Sequence, residues 1–310
     1  PSGLDSKFTP GTIGLKYHIL VRAVDKAGNV TETFSVDISS IVINIDKQPP
    51  SSTITLPQDI SVEGAGRYKS SNIGKSATNS RLRGVAYDNY YTQNNAGISQ
   101  TRIRLSYIDG GTTYYYNGSS FVTGDPDDFW LTASLTPNPP NADWTYLADV
   151  SWAGDREYKI EVLSMDDSRL FDDTGDGNKE TVQTRPNNVR HFIVDDTPPS
   201  VLITTPIETA LNSLTEISGT ADDNLAGFDY VEIKISTGSG VDERWWNGSG
   251  WVSEEFWLPT DRLSSTTWRY IVDQLMLVDD RVYNVVTRSY DYAGNVSSIY
   301  STYTFTYDIT

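Results

Sequence analysis

Aspartate and asparagine residues at three recurring turns are the groups of this chain best suited to chemistry. Asp25 and Asn29 stand at the two ends of one short turn. Asp291 and Asn295 stand at the ends of another turn with the same spacing. A middle copy begins at Asp166, and its longer turn ends in Asp-Gly-Asn. Carboxylate and amide oxygens are the ligands that Ca²⁺ prefers, roughly six to eight of them at about 2.3–2.6 Å. The turns are therefore candidate calcium ligands.

The turns belong to a longer repeat that predicts how the chain is divided. A tyrosine lies eight residues before the first aspartate of each copy, and a following strand ends at a further aspartate, twice before Pro-Pro. Such repetition is typical of modular arrays. It predicts an incomplete module over 1–48, a module with an aromatic hairpin insert and a long final loop over 49–195, and a module over 196–310. Residues 1–48 are then either a cut fragment or completed by another chain.

Alternating apolar and polar residues predict the elements that position these turns. Runs rich in Val, Ile, Thr and Tyr, such as 17–24 and 230–235, are bounded by Gly, Asn, Asp and Pro, as β-strands are. No long run has the apolar period of a helix. The strands of 49–195 align one by one with those of 196–310. We therefore expect an all-β chain of tandem immunoglobulin-like antiparallel β-sandwiches.

Two motifs carry a resemblance to a known family. The turn Asp-Tyr-Ala-Gly-Asn at 291–295 and the linker Val-Asp-Asp-Thr-Pro-Pro at 194–199 resemble the tandem bacterial immunoglobulin-like (Big-type) domains of large cell-surface adhesins. The linker at 46–50 departs from this pattern at two positions. The resemblance implies an extracellular or cell-surface location and calcium at the junctions between modules.

The predicted sandwich gathers acidic residues where each module begins. The loop after the second strand and the loop between the last two strands lie at this end, where the previous module's final strand also ends. We predict calcium ligands at the later junction (Asp195, Asp196, Asp222, Asp223, Asn224, Asp291, Asn295) and at the earlier one (Asp46, Asp88, Asn89, Asp166, Asp173, Asp176, Asn178). The alternative is a metal-free turn, because Asp and Asn also bond their own backbone.

Clustered aromatic residues form a second candidate site. In each module they flank an Asn-Gly turn, and their rings could stack on the sugar rings of a host or matrix glycan. These residues are Trp245, Trp246, Trp251, Tyr115 and Tyr116. Alternation around a hairpin also suits rings that pack against a sheet or in a core. Both interpretations stay open, so a carbohydrate-binding adhesin module is the alternative function.

Charge and composition exclude several classes of function. The 41 acidic and 24 basic residues give a net charge of −17, which disfavours nucleic acid as a partner. No apolar run is long enough for membrane insertion. With no cysteine, and with only His18 and His191 in separate modules, no catalytic set is evident. We predict a non-enzymatic stalk, adhesin or filament segment whose partners are neighbouring modules of the same or identical chains.

Overall fold

The fold is built almost entirely from β-strands. The computed structural model describes residues 15–46, 48–77, 79–88, 97–138, 141–168, 177–181 and 183–310. These residues form 24 strands. No α-helix occurs among them, and none of their helical turns is long and apolar enough to cross a membrane. The all-β prediction is confirmed.

The N-terminal hairpin pairs two antiparallel strands, β1 (Leu15–Leu20) and β2 (Ser40–Ile45). Apolar side chains on it stay exposed, with Val36 75% and Ile38 86% accessible. A lone two-stranded ribbon cannot bury its own apolar side chains.

Eleven strands follow in residues 49–195, which we call the first module. They are β3 (Ser51–Leu56), β4 (Arg67–Tyr68), β5 (Arg83–Tyr87), β6 (Ile98–Asp109), β7 (Thr112–Tyr116), β8 (Phe121–Val122), β9 (Leu131–Thr132), β10 (Ser134–Asn138), β11 (Asn141–Thr145), β12 (Arg156–Asp166) and β13 (Val189–Val194).

Eleven equivalent strands form residues 196–310, the second module. They are β14 (Ser200–Thr205), β15 (Ala210–Leu211), β16 (Glu216–Asp222), β17 (Phe228–Thr237), β18 (Arg244–Trp246), β19 (Trp251–Val252), β20 (Leu258–Pro259), β21 (Asp261–Arg262), β22 (Thr267–Ile271), β23 (Arg281–Asp291) and β24 (Ser301–Tyr307). Short 3-10 helices lie at Pro126–Phe129, Gly240–Asp242 and Gln274–Met276.

Both modules have the strand order of an immunoglobulin-like sandwich. In the second, one sheet runs β14-β16-β22-β21 and the other β15-β24-β23-β17-β18-β19, with β20 also paired to β17. The first repeats this as β3-β5-β11-β10 and β4-β13-β12-β6-β7-β8, with β9 paired to β6. In letter notation the two sheets are A-B-E-D and A′-G-F-C-C′-C″, the arrangement of variable-type domains. The predicted fold class is therefore confirmed.

A tryptophan packed on a glycine recurs in both cores. Trp268 lies opposite Gly219, and Trp144 lies opposite Gly84; both tryptophans are fully buried. A Cβ added at Gly84 would lie 2.7 Å from the Trp144 ring and 2.0 Å from the carbonyl oxygen of Thr53. Only glycine allows this close approach of backbone and ring.

The repeated tyrosine anchors the corner before strand F in each module. The Tyr283 hydroxyl donates to the Met276 carbonyl at 3.0 Å, and the Tyr158 hydroxyl donates to the Gly154 carbonyl at 2.9 Å. Both rings are fully buried. This is the tyrosine corner of immunoglobulin-like domains, and it explains why the repeat begins with tyrosine.

Contacts divide the chain into two compact units. One comprises residues 1–58, 74–151 and 159–191, and the other comprises 59–73, 152–158 and 192–310. The module boundaries at 48 and 195 stay predictions.

Candidate metal centres

Three aspartates meet within the second unit, and we call them the second acid cluster. Asp195 follows β13, Asp223 follows β16, and Asp291 ends β23. One carboxylate oxygen from each lies within 4.8 Å of the others. Asp195 and Asp291 are almost completely buried. Each comes from a different segment, as the sandwich topology predicted.

Asn295 holds two members of this cluster together. Its backbone N–H donates to Asp291 Oδ1 at 2.7 Å, and its side-chain amide donates to Asp291 Oδ2 at 2.8 Å. The same amide nitrogen donates to the Asp195 carbonyl oxygen at 2.9 Å. The asparagine therefore ties the turn after β23 to the end of β13.

Backbone donors satisfy most of the remaining carboxylate oxygens. Asp195 accepts from the N–H groups of Thr197 at 2.9 Å and Ala226 at 2.8 Å. Asp223 Oδ2 accepts from Leu225 at 3.0 Å and Gly227 at 2.8 Å. The other oxygen, Asp223 Oδ1, is buried without a hydrogen-bond partner. An orphaned carboxylate oxygen beside two other carboxylates is what a cation site would use.

Burial makes the charged form of this cluster costly. Desolvation raises the pKa of Asp195 to about 6, and the nearby charges of Asp223 and Asp155 act in the same direction. Desolvation likewise raises the pKa of Asp291, although the hydrogen bonds from Asn295 oppose it. Buried carboxylates that lack a counter-charge favour protonation or a bound cation.

A similar arrangement lies in the first unit, the first acid cluster of Asp46, Asp88 and Asp166. Asp166 Oδ1 accepts from the Asn178 N–H at 2.7 Å, and its Oδ2 accepts from the Asn178 amide at 2.8 Å. That amide also donates to the Asp46 carbonyl at 3.2 Å. Ser168, which the sequence did not single out, donates to Asp166 Oδ1 at 2.6 Å.

Other predicted ligands lie outside these clusters. Asp196 accepts from the Ser70 N–H at 2.9 Å instead of joining Asp195. Asp222 and Asn224 are exposed on either side of Asp223. The remaining predicted positions lie outside the described residues: Asn89, Asp173 and Asp176.

The structure adds one cluster that the sequence did not reveal, at Asp279, Asp280 and Asp308. Asp308 follows β24, and Asp279 and Asp280 precede β23. Asp279 accepts from the Ile309 N–H at 2.9 Å. The cluster is largely exposed.

The aromatic candidates pack mostly in or against the cores. Tyr116 and Trp246 are 1% and 2% accessible, and Trp251 packs beside Trp246 with ring centroids 5.5 Å apart. Tyr115 stacks on Phe129 at 5.3 Å. Trp245 is half-buried. A buried ring cannot stack on a sugar without leaving its core, so these positions favour packing. Glycan binding stays a prediction.

Comparisons with known proteins found solved structures of low similarity. No family model matches this sequence, and no curated protein matches it. A tetra-tandem repeat from the extending region of a large adhesion protein is 14% identical with a TM-score of 0.29, covering 96% of this chain and 58% of that one. The FN1–FN3 domains of chicken CNTN1 are 12% identical (TM-score 0.28, covering 93% and 76%). The EC1–3 domains of mouse clustered PcdhgC3 are 10% identical (TM-score 0.26, covering 96% and 77%). This chain thus spans less than two thirds of the adhesion-protein repeat, and such TM-scores support no conclusion about its function.

Proposed function

We propose that this chain is a non-enzymatic structural segment of an extracellular, multi-domain surface protein, and that calcium orders its module junctions. The sandwich cores, the tyrosine corners and the Pro-Pro linkers suit a spacer. Proline restricts its own φ and the conformation of the preceding residue, which limits flexing at each linker. In this role the acid clusters are the regulated part of the molecule.

The observation that carries the calcium proposal is the buried, unpartnered Oδ1 of Asp223. It lies beside the carboxylates of Asp195 and Asp291, two groups whose pKa values are raised by burial. A divalent cation would give that oxygen a partner and offset two of the three negative charges of the cluster. The donor set consists only of oxygens, which suits Ca²⁺ better than a softer metal.

Calcium would act by stabilising the ordered junction over looser states. Asp195 ends one module, while Asp223 and Asp291 belong to the next, so a shared ion would link the three segments. Because the unfolded chain does not hold these groups together, binding shifts the equilibrium towards the folded junction. At about one hundred times the dissociation constant, the free energy of unfolding would rise by about 2.7 kcal/mol.

The test compares two neighbouring aspartates in the 310-residue chain. Thermal unfolding is measured with millimolar Ca²⁺ and with chelator for the natural sequence, Asp223→Asn and Asp222→Asn. We expect calcium to raise the melting temperature of the natural chain and of Asp222→Asn, and the response to shrink in Asp223→Asn. Asp222 is a matched control because it is adjacent in sequence but exposed.

Calorimetric titration with Ca²⁺ supplies an independent readout of binding. Absence of heat, together with equal melting temperatures in calcium and chelator, would contradict the proposal. So would a calcium response of normal size in Asp223→Asn.

A further inference from the structure

Residues 59–73 form a segment, the arm, that is longer than its counterpart in the second module. Nine residues, 58–66, separate Pro57 from β4, whereas three residues, 207–209, separate Pro206 from β15. The arm is held to β13 by parallel pairing of β4 with Ile193 and Val194. The extra residues therefore lead into a strand that is hydrogen-bonded to β13.

Apolar contacts join the arm to the turns of the second module. Ile193, Ala226 and Ala293 form a small buried cluster, and the partly buried Ile60 and Leu225 pack against it. The cluster is separate from the main core of the second module. Its members come from the arm, the end of β13 and the two loops that also carry Asp223 and Asp291.

A polar network joins the arm to the same module. Glu63 Oε1 accepts from the Arg262 guanidinium at 2.9 Å and from the Tyr292 hydroxyl at 2.9 Å. Arg262 also donates to the Tyr292 hydroxyl oxygen at 2.6 Å. The hydrogen bond from Arg262, followed by that from Tyr292, holds the pKa of Glu63 below its usual value. Each of the three side chains, Glu63, Arg262 and Tyr292, is hydrogen-bonded to the other two, so replacing any one of them removes two bonds.

The arm also accommodates the ring of Tyr292. Gly64 has a φ of +75°, and a Cβ there would lie 3.1 Å from Tyr292 Cε1. The guanidinium carbons of Arg67 and Arg262 lie 5.6 and 5.4 Å from the ring centroid. Glycine is therefore required for both its backbone conformation and the space above it, while the two cations face an aromatic surface that attracts them.

Tyr292 is the second residue of the repeated turn, a position at which the three copies differ. The corresponding residue is Lys26 in the N-terminal hairpin and Asp167 in the first module. Neither side chain has an aromatic ring that could attract the two guanidinium groups, and neither has a hydroxyl group that could donate a hydrogen bond to Glu63. Asp167 would also place a second negative charge near that glutamate. The arm thus fits one of the three turns in this chain.

We propose that the arm is a recognition surface that selects the module able to follow the first one. Its partner is an immunoglobulin-like module with tyrosine at the second position of the Asp-x-Ala-Gly-Asn turn and arginine on the strand equivalent to β21. No acid of the second cluster takes part in the polar network, so these bonds can be tested without calcium.

Hydrogen exchange measured by mass spectrometry on the full chain in chelator tests the proposal. Glu63→Gln, Tyr292→Phe and the double variant are compared with Asp261→Asn, which removes a solvent-exposed pair with Arg269 on the neighbouring strands. Each single variant should speed exchange over 58–66 by about two- to fivefold, the size expected for local opening after loss of one bond in an exposed network. The double variant should add little, and Asp261→Asn should change nothing.

Tyr292→Lys, which installs the residue of the N-terminal turn, should speed exchange further because it removes the ring as well. Unchanged exchange in both single variants, or fully additive effects in the double variant, would overturn the proposal. Because the experiment uses chelator throughout, failure of the calcium proposal would leave its outcome intact.

Discussion

The two buried acid clusters achieve the same hydrogen bonding with different lengths of chain. In each, an asparagine donates to both carboxylate oxygens of the aspartate that ends strand F, through its backbone N–H and its side-chain amide. The amide also donates to the carbonyl oxygen of the aspartate that follows β2 or β13. The aspartate and asparagine are twelve residues apart in the first cluster and four apart in the second. The asparagine amide therefore defines the arrangement, and the loop length does not.

The two clusters differ in how deeply their aspartates are buried and in which groups surround them. Asp195 is completely buried and accepts the Ala226 N–H from the loop after β16. Asp46 is only partly buried, and its carboxylate accepts from the nearby Gln48 N–H at 3.0 Å. The second cluster also lies beside the arm and its apolar contacts. The comparison teaches that the same pattern of hydrogen bonds can form at different degrees of burial.

The largest effect is expected from removing the asparagine. Asn295→Ala should lower the free energy of unfolding by about 3 kcal/mol, because it removes the charge-assisted bond from the side-chain amide to Asp291 Oδ2 and leaves the buried Asp195 carbonyl oxygen unpaired. Asn178→Ala should cost less, about 1–2 kcal/mol, since water can reach that half-buried site. Urea denaturation in chelator measures both. Equal losses would show that burial does not distinguish the clusters.

The second effect is a pH dependence specific to the second cluster. The pKa of Asp195 is raised to about 6, so the native state holds this proton more tightly than the unfolded chain. Its stabilising contribution is present below about pH 4 and is lost as pH rises through about 6, by up to about 3 kcal/mol.

The measurement is the difference in unfolding free energy between the natural chain and Asp195→Asn, from pH 4 to 7 in chelator. Taking a difference removes the contribution of carboxylates common to both. The natural chain should lose stability relative to the variant as pH rises. A flat difference curve would contradict the raised pKa.

The smallest effect tests loop length directly. Replacing residues 167–177 with Tyr-Ala-Gly converts the first turn to the length of the second. If the asparagine amide defines the site, the chain should still fold and should gain about 1 kcal/mol from the lower entropy of closing a shorter loop. Thermal unfolding measures the gain. A loss of several kcal/mol would show that the long loop is itself structural.

Much of the fold could be predicted from the sequence because it depends on local patterns. Alternation predicted strands such as β17 and β23, and the turn residues predicted where they end. The repeat predicted that the two modules align strand by strand. It also placed Asp195, Asp223 and Asp291 in one group, because the topology of an immunoglobulin-like sandwich brings those loops to one end.

What the sequence determined was thus the strands, the strand-by-strand repeat and the acidic residues available at the turns. Only the tertiary structure decided that Asp223, and neither Asp222 nor Asn224, joins the cluster, because this depends on how the chain leaves β16. It alone revealed the bond from Tyr292 to Glu63, across 229 residues. Contacts between residues so far apart leave no local pattern, since they arise from packing and not from the propensities of neighbouring residues.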